Sequence, residues 1–240
     1  MTDAEIITLT IFGFFIFVVV SICVHLYNKK KYEETSYFNI TKIPYWQIKY
    51  DSGHRGEYLI YKELKYLEFE GAKFLFNLYI PTYNNKTTEI DVVMISQHGI
   101  FVFESKYYSG WIFGTESQKK WTQSLHIGYG DTQKEHFYNP IMQNEYHIKY
   151  LNNIINKDIK YHSIVVFSNN CEFKSIKRNK NSGTVLIHRY ELNRVIKHLI
   201  LNNNQALSSS EIDEIYNILY PYSQASEETK MQHIENLKFK

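Results

Sequence analysis

The sequence predicts an α/β chain: a mixed β-sheet flanked by helices, preceded by a single membrane-spanning helix. Three observations carry that expectation. Residues 6–26 form one apolar run. Residues 89–106 gather β-branched and aromatic side chains on either side of Gln97-His98-Gly99, the pattern of a hairpin. Stretches with helical spacing precede and follow, giving the order helix, strand, hairpin, helix, strand, helix.

The first element is the apolar run. As a helix, residues 6–26 would extend ~30 Å, the thickness of a bilayer's hydrocarbon core. The flank before it is acidic (Asp3, Glu5), and Val24-His25-Leu26-Tyr27 stands where a cleavage site would need small residues. The segment therefore reads as an uncleaved, single-pass anchor over residues 1–28. Lys29-Lys30-Lys31 comes directly after it, which places the C-terminal domain on the cytoplasmic side of the plasma (inner) membrane. Residues 29–44 read as a polar juxtamembrane linker able to touch anionic lipid. Residues 45–222 form one domain, and 223–240 a polar tail.

Composition bounds the rest. The 240 residues are 44% hydrophobic, enough for a packed core, and include 21 tyrosines. A net charge of +2 gives no global basic character, so any nucleic-acid contact has to come from a local patch. The two cysteines, Cys23 and Cys171, lack metal spacing and argue against a disulfide framework.

Within the domain, a helix is predicted over residues 52–69. Ile60, Leu64 and Leu67 mark its buried stripe, and Glu57 falls on the same stripe. Gly53 and Gly56 would let another backbone come close. Glu57 is either a further metal-site carboxylate or a partly buried acid paired with Arg55 or Lys106. A strand over 73–79 and a loop over 81–86 lead into the central hairpin. With Gln97-His98 as the turn, Asp91 lies opposite Glu104; with His98-Gly99, it lies opposite Lys106. Either register puts Asp91, Glu104 and Lys106 on one face. Two acids and a lysine at the end of an apolar hairpin are costly in a purely structural sheet. A hard divalent cation has a use for the paired carboxylates, and a lysine for positioning the attacking water.

A second hairpin is predicted over 111–114 and 120–125, then an irregular segment over 128–137, with His126 and His136 as surface histidines. Asn139-Pro140 opens a helix as N-cap and first residue. Gln143, Tyr146, His147, Tyr150 and Ile154 share one of its faces, and the glutamine there needs a polar partner. Strands over 162–167 and 184–187 flank a loop bearing Lys174, Lys177, Arg178 and Lys180, either a phosphate-backbone contact or a solvated surface. Helices over 190–201 and 209–220 close the domain, the last capped by Ser209 or Ser210.

The series Gly53-His54-Arg55-Gly56-Glu57 with Leu64, Glu89-Ile90-Asp91, Gly99-Ile100-Phe101-Val102-Phe103-Glu104-Ser105-Lys106, Trp111 with Gly114, and Asn139-Pro140 with Gln143 and His147 resembles the nuclease-related domain (NERD) family. Asp91 followed by Glu104-x-Lys106 is also similar to the motif of the PD-(D/E)XK nuclease superfamily. The resemblance covers about residues 50–155. It implies a restriction-endonuclease-like core in which Asp91 and Glu104 hold magnesium, with manganese as a substitute. It further implies that Lys106 assists the water, that Glu57 adds a ligand, and that Gln143 is the glutamine following the active-site hairpin. Relatives often carry tyrosine four residues after that glutamine; this chain has His147 there and Tyr146 one earlier. The expected activity is metal-assisted hydrolysis of phosphodiesters, most simply of DNA. The competing expectations are a tethered nucleic-acid-binding or scaffold domain without catalysis, and a structural ion-pair network of the three charges with Arg55 and Glu89.

Overall fold

A computed structural model describes residues 2–83, 86–128, 130–203 and 206–238. Asn84 and Asn85 of the expected loop, Tyr129 of the expected irregular segment, and Phe239 and Lys240 of the expected tail lie outside the described residues. The architecture is mixed α/β: two mixed sheets flanked by helices, with a long apolar helix at the N-terminus. The sequence reading anticipated one sheet, and the chain builds two.

Helix α1 (Asp3–Glu33) is capped by Thr2, whose hydroxyl accepts the Glu5 N–H while Glu5 reaches back. It is long and apolar enough to cross a membrane, and none of its most apolar stretch is buried. Residues 29–44 do not form the expected linker. Short helices α2 (Ser36–Thr41) and α3 (Tyr45–Tyr50) pack down, burying Tyr32, Tyr37, Ile40, Ile43 and Ile48. Tyrosines make such a segment look polar, yet each ring can be buried once its hydroxyl is paired. Tyr32 donates to the Ile43 carbonyl at 2.7 Å.

Helix α4 (Ser52–Leu64), capped by Asp51, runs into a 3-10 turn at Lys65–Glu70. Strands β1 (Lys73–Pro81), β2 (Thr87–Ser96) and β3 (Gly99–Lys106) form an antiparallel meander. Strands β7 (Tyr161–Phe167) and β9 (Thr184–His188) extend it in parallel, in the order β1-β2-β3-β7-β9. Ser96 pairs with Gly99, so Gln97-His98 is the turn. The second sheet, β6-β5-β4-β8, comprises β4 (Gly110–Thr115), β5 (Lys120–Gly128), β6 (Asp131–Tyr138) and β8 (Cys171–Lys177). Two of these strands replace segments expected to be irregular: β6 occupies most of 128–137, and β8 carries Lys174 and Lys177 of the expected basic loop.

Helix α5 (Pro140–Ile155) begins where the Asn-Pro signal places it. Asn139 accepts the Ile141 N–H and donates to the carbonyls of Glu116 and Gln118. Asn144 latches this helix to the first sheet by donating to the Val102 carbonyl at 2.9 Å and to Ser163. Helices α6 (Leu192–Leu201) and α7 (Ser209–Ser223) come next. The α7 cap is Ser208, one residue earlier than expected, in a capping box with Glu211. The expected tail instead forms α8 (Glu227–Lys238), docked through the buried His233.

Two glycines permit close packing. A Cβ on Gly56 would collide with Ser105 of β3, and one on Gly114 would enter the Trp121 ring, which stacks over Phe167. Gly53 meets only its own cap, Asp51.

Burial of Tyr32, Tyr37, Ile40 and Ile43 makes residues 29–44 part of the core. Each such side chain contributes about 1.5–3 kcal/mol. A fragment of residues 29–240 is expected to melt cooperatively. A fragment of 45–240 is expected to melt at least ~10 °C lower, or to lack a cooperative transition in calorimetry.

Candidate active site

The hairpin carries its apolar body out of the core and ends in charge. All but the last two residues of β3 are buried, and those two include Lys106. One step beyond the Val92–Phe103 pair, Asp91 comes level with Glu104, and its Oδ2 accepts the Ser105 N–H at 2.7 Å. On the other side of Asp91 the β1–β2 ladder skips Asn77, which adopts a left-handed φ of 52°. Asparagine tolerates that conformation better than most residues, and the register is the same on both sides of it.

Glu104 is 1% exposed, and each oxygen has its own partner. Oε1 accepts from Lys106 Nζ at 2.6 Å, and Oε2 meets His147 Nε2 at 3.0 Å. A carboxylate only accepts, so Nε2 carries the proton. The other ring nitrogen, Nδ1, lies 2.9 Å from the Thr88 hydroxyl. Lys106 also donates to Gln143 Oε1 at 3.2 Å. Gln143 and His147 lie one turn apart on α5, so the Asn144 latch between them sets both against β3.

Electrostatics divide the acids into two kinds. Burial opposes ionisation of Glu104, but Lys106 and His147 outweigh it and hold the carboxyl below the usual range. Burial likewise opposes the Lys106 charge, and Glu104 and Asp91 outweigh it, raising its pKa. At Asp91 burial prevails, and the charges of Glu104 and Glu57 add to it. Together they push that carboxyl well above its usual range, against Lys106 and the Ser105 N–H.

Glu57 sits behind this group. Its Oε2 accepts from Tyr37 at 2.9 Å and lies 3.6 Å from His54 Nδ1. Its partners are therefore neither Arg55 nor Lys106. Arg55 instead stacks over the Tyr107 ring, and Glu89 accepts from Tyr79 at 2.6 Å. The expected ionic network with Arg55 and Glu89 does not form. Among the described residues, no three His, Cys, Asp or Glu side chains are gathered tightly enough to hold a metal unaided. Asp91, Glu104 and Glu57 are close enough to interact by charge but do not make a finished three-carboxylate cage.

Asp91, Gln143 and His147 line a cleft of about 550 Å³ between the two sheets. Strand β2 contributes Glu89 and Asp91 to its lining and β5 and β6 contribute Lys120, His136 and Tyr138; Tyr146 and His233 line it as well. Lys174, Lys177, Arg178 and Lys180 do not line it: Lys174 pairs with Glu172 at 2.9 Å, and Arg178 with Glu116 at 3.9 Å. Of the expected site residues, Asp91, Glu104 and Lys106 were singled out by strand spacing and Gln143 by its helical face and the family resemblance. The contributions of His147, Thr88, Tyr37 and Asn77 depend on contacts between distant elements. His147 alone had a local signal, four residues after Gln143 on the same helical face.

Because the folded state raises the Asp91 pKa, it binds more protons than the unfolded chain above pH ~4, so ionisation of Asp91 lowers stability as pH rises. Asp91→Asn keeps an acceptor for the Ser105 N–H and removes that cost. In EDTA, the variant is expected to match wild type at pH 4 and to exceed its Tm increasingly toward pH 8. A variant equally or less stable at pH 8 would show that Asp91 is not held under charge strain.

Residues 52–168 match the family model described as nuclease-related domain. An uncharacterized protein of Bacillus anthracis is 28% identical over 195 residues, covering 81% of this chain and 85% of that protein. No solved structure matches. The matched segment runs from the start of α4 to just past the end of β7 and contains Glu57, Asp91, Glu104, Lys106, Gln143 and His147. That segment is similar to the nuclease-related domain.

Proposed function

We propose that this chain is a membrane-anchored, metal-dependent nuclease that hydrolyses phosphodiester bonds, with DNA as its substrate. The observation that carries the reading is the bonded group Glu104, Lys106 and Gln143 beside Asp91, of which Asp91 and Gln143 reach the cleft, inside the segment that matches the nuclease-related model.

The donor set suits magnesium. Burial and the charges of Glu104 and Glu57 oppose ionisation of Asp91, so a cation held beside it would offset that cost. Magnesium commonly takes one or two carboxylates and completes its shell with water and substrate phosphate, so a three-residue cage is not required. Asp91 and Glu104 would hold it, and Glu57, tied to Tyr37 and His54, would act from behind through its charge. Manganese shares this preference for oxygen ligands. Bound there, the ion supplies Lewis acidity and a lowered pKa for an attacking water.

The side chains divide the remaining work. Lys106 places a fixed positive charge beside the position where the attacked phosphate accumulates negative charge. Gln143 accepts a hydrogen bond from that ammonium and so limits its rotation. His147 donates to Glu104 and fixes the carboxylate plane, as partners of metal-binding carboxylates do. Lys120 offers positive charge and His136 a ring nitrogen to a phosphate backbone, and Tyr138 and Tyr146 offer ring faces to bases. The apolar span of α1 and Lys29-Lys30-Lys31 support a single-pass anchor in the plasma (inner) membrane with this domain on the cytoplasmic side.

The test uses the full chain in detergent with linear duplex, circular duplex and single-stranded DNA, and with RNA, in magnesium, manganese or EDTA. Cleavage is expected only with metal. Asp91→Ala and Lys106→Ala should each lower the rate ~10²-fold or more, and His147→Ala ~10–100-fold. Salt-sensitive retention of DNA without cleavage would instead mark a tethered binding domain. Cleavage unaffected by the Asp91 and Lys106 changes would remove this site from the reaction.

A further inference from the structure

The anchor reading brings with it a helix whose exposed face has no protein partner shown. Helix α3 is only six residues long, yet Trp46 is 60% and Tyr50 83% exposed on it. Its position is fixed from the other side. Lys49 Nζ lies 3.4 Å from His25 Nδ1, and the Tyr45 ring sits 5.6 Å from the His25 ring and 5.5 Å from that of Tyr32. His25 is at the very end of the apolar run, so α3 touches the span at the level where its apolar surface stops.

Tyr45 and Lys49, four residues apart, face α1; Trp46 and Tyr50 lie about 100° further round. Tyr27, 63% exposed, stands at the same level with Lys31 over its ring at 5.9 Å. Lysines 29, 30, 31, 42 and 49 of the same stretch are exposed; Lys49 lies over the Tyr45 ring, Lys42 over the Phe38 ring, and Lys29 beside Glu33. The standoff is short. With ~1.5 Å of rise per residue, the buried Tyr32 sits only ~9 Å beyond Leu26, and headgroups occupy about 5–8 Å of that. The domain therefore lies against the headgroup layer.

We infer that α3 is a membrane-docking element: Trp46 and Tyr50 insert into the interface of an anionic bilayer beside the anchor, and Lys42 and Lys49 meet lipid phosphates. Amphipathic rings at headgroup depth with lysines around them are the side-chain set that such an interface selects. Tyr45 and Tyr32, packed between α3 and the core, make the docking rigid, so the membrane orients the nuclease-like domain as well as retaining it. The inference rests on the membrane-span reading and is independent of nuclease activity.

The experiment places the full chain in vesicles of phosphatidylcholine and phosphatidylglycerol whose acyl chains are brominated near the ester end. The variant is Trp111→Phe, which leaves Trp46 and the buried Trp121 as the emitters. Wild-type melting behaviour of this variant is the control for folding. The expected result is loss of most Trp46 emission relative to unbrominated vesicles. The residual emission should equal that of a Trp46→Phe/Trp111→Phe double variant, which bromine should leave unchanged. Protein that stays with the vesicles through an alkaline wash but shows no quenching overturns the docking and leaves the anchor intact. Protein released by the wash overturns both.

Discussion

The burial of Glu104 is the constraint on which the other features of the site depend. A carboxylate 1% exposed between strands is tolerable only with both oxygens paired, and removing one partner of such a group typically costs 3–5 kcal/mol. One partner, Lys106, comes from the same strand two residues on, so strand periodicity alone supplies it. The other, His147, comes from a helix 43 residues away and has to be delivered by the fold. The Asn139 cap fixes where α5 starts, and the Asn144 latch fixes how far along β3 it sits. Gln143 and His147 then fall into place without further adjustment. A slip of one residue in β3 would turn Glu104 and Lys106 to the face where Ser105 meets α4.

How far the sequence disclosed this arrangement depends on how local each signal was. The hairpin, the Asn-Pro helix start and the Glu57 stripe were legible because they rest on periodicity and capping within a few residues. Strand β6 was not, since all but one of its residues are exposed and, apart from the packing of Phe137, it is organised by backbone pairing with β5. Strand β8 hid for the same reason behind its lysines. Helix α8 has little apolar periodicity; its main attachment is His233 with Thr87, a contact 146 residues apart in the chain. Residues 29–44 misled in the opposite direction, because tyrosines counted as polar turned out to be core. At the site, two residue types were visible at the correct spacing while their partners were not: nothing near Glu57 in sequence announces Tyr37, and nothing near Glu104 announces His147.

The two-sheet architecture explains how a chain with a net charge of +2 still presents an electrostatically divided cleft. The first sheet brings Glu89 and Asp91 to its lining on β2. The second sheet brings Lys120, His136 and Tyr138 to it, because the β5–β6 pairing sets Lys120 opposite Tyr138 and Thr122 opposite His136. The acids and Lys120 thus come to the cleft on different sheets. A phosphate entering it meets the Lys120 ammonium on one strand and Gln143 on the other side, with the Lys106 ammonium bonded to Gln143 behind it. Global composition cannot report such a division, since both sheets contribute to the same sum.

The same aromatic packing joins the cleft to the N-terminal helix. Tyr32, on the last turn of α1, packs 6.3 Å from Tyr37, whose ring lies 4.7 Å from Phe76 of β1 and whose hydroxyl donates to Glu57. Glu57 in turn raises the pKa of Asp91 through its charge. The links from Tyr32 to Glu57 are contacts between buried side chains, and the last, from Glu57 to Asp91, is electrostatic. A tether of sixteen polar residues would have left the domain free to turn; helices α2 and α3, folded into the core, remove that freedom. The direction in which the cleft opens is therefore set by the orientation of α1, and the end of the apolar helix is part of the geometry of the site.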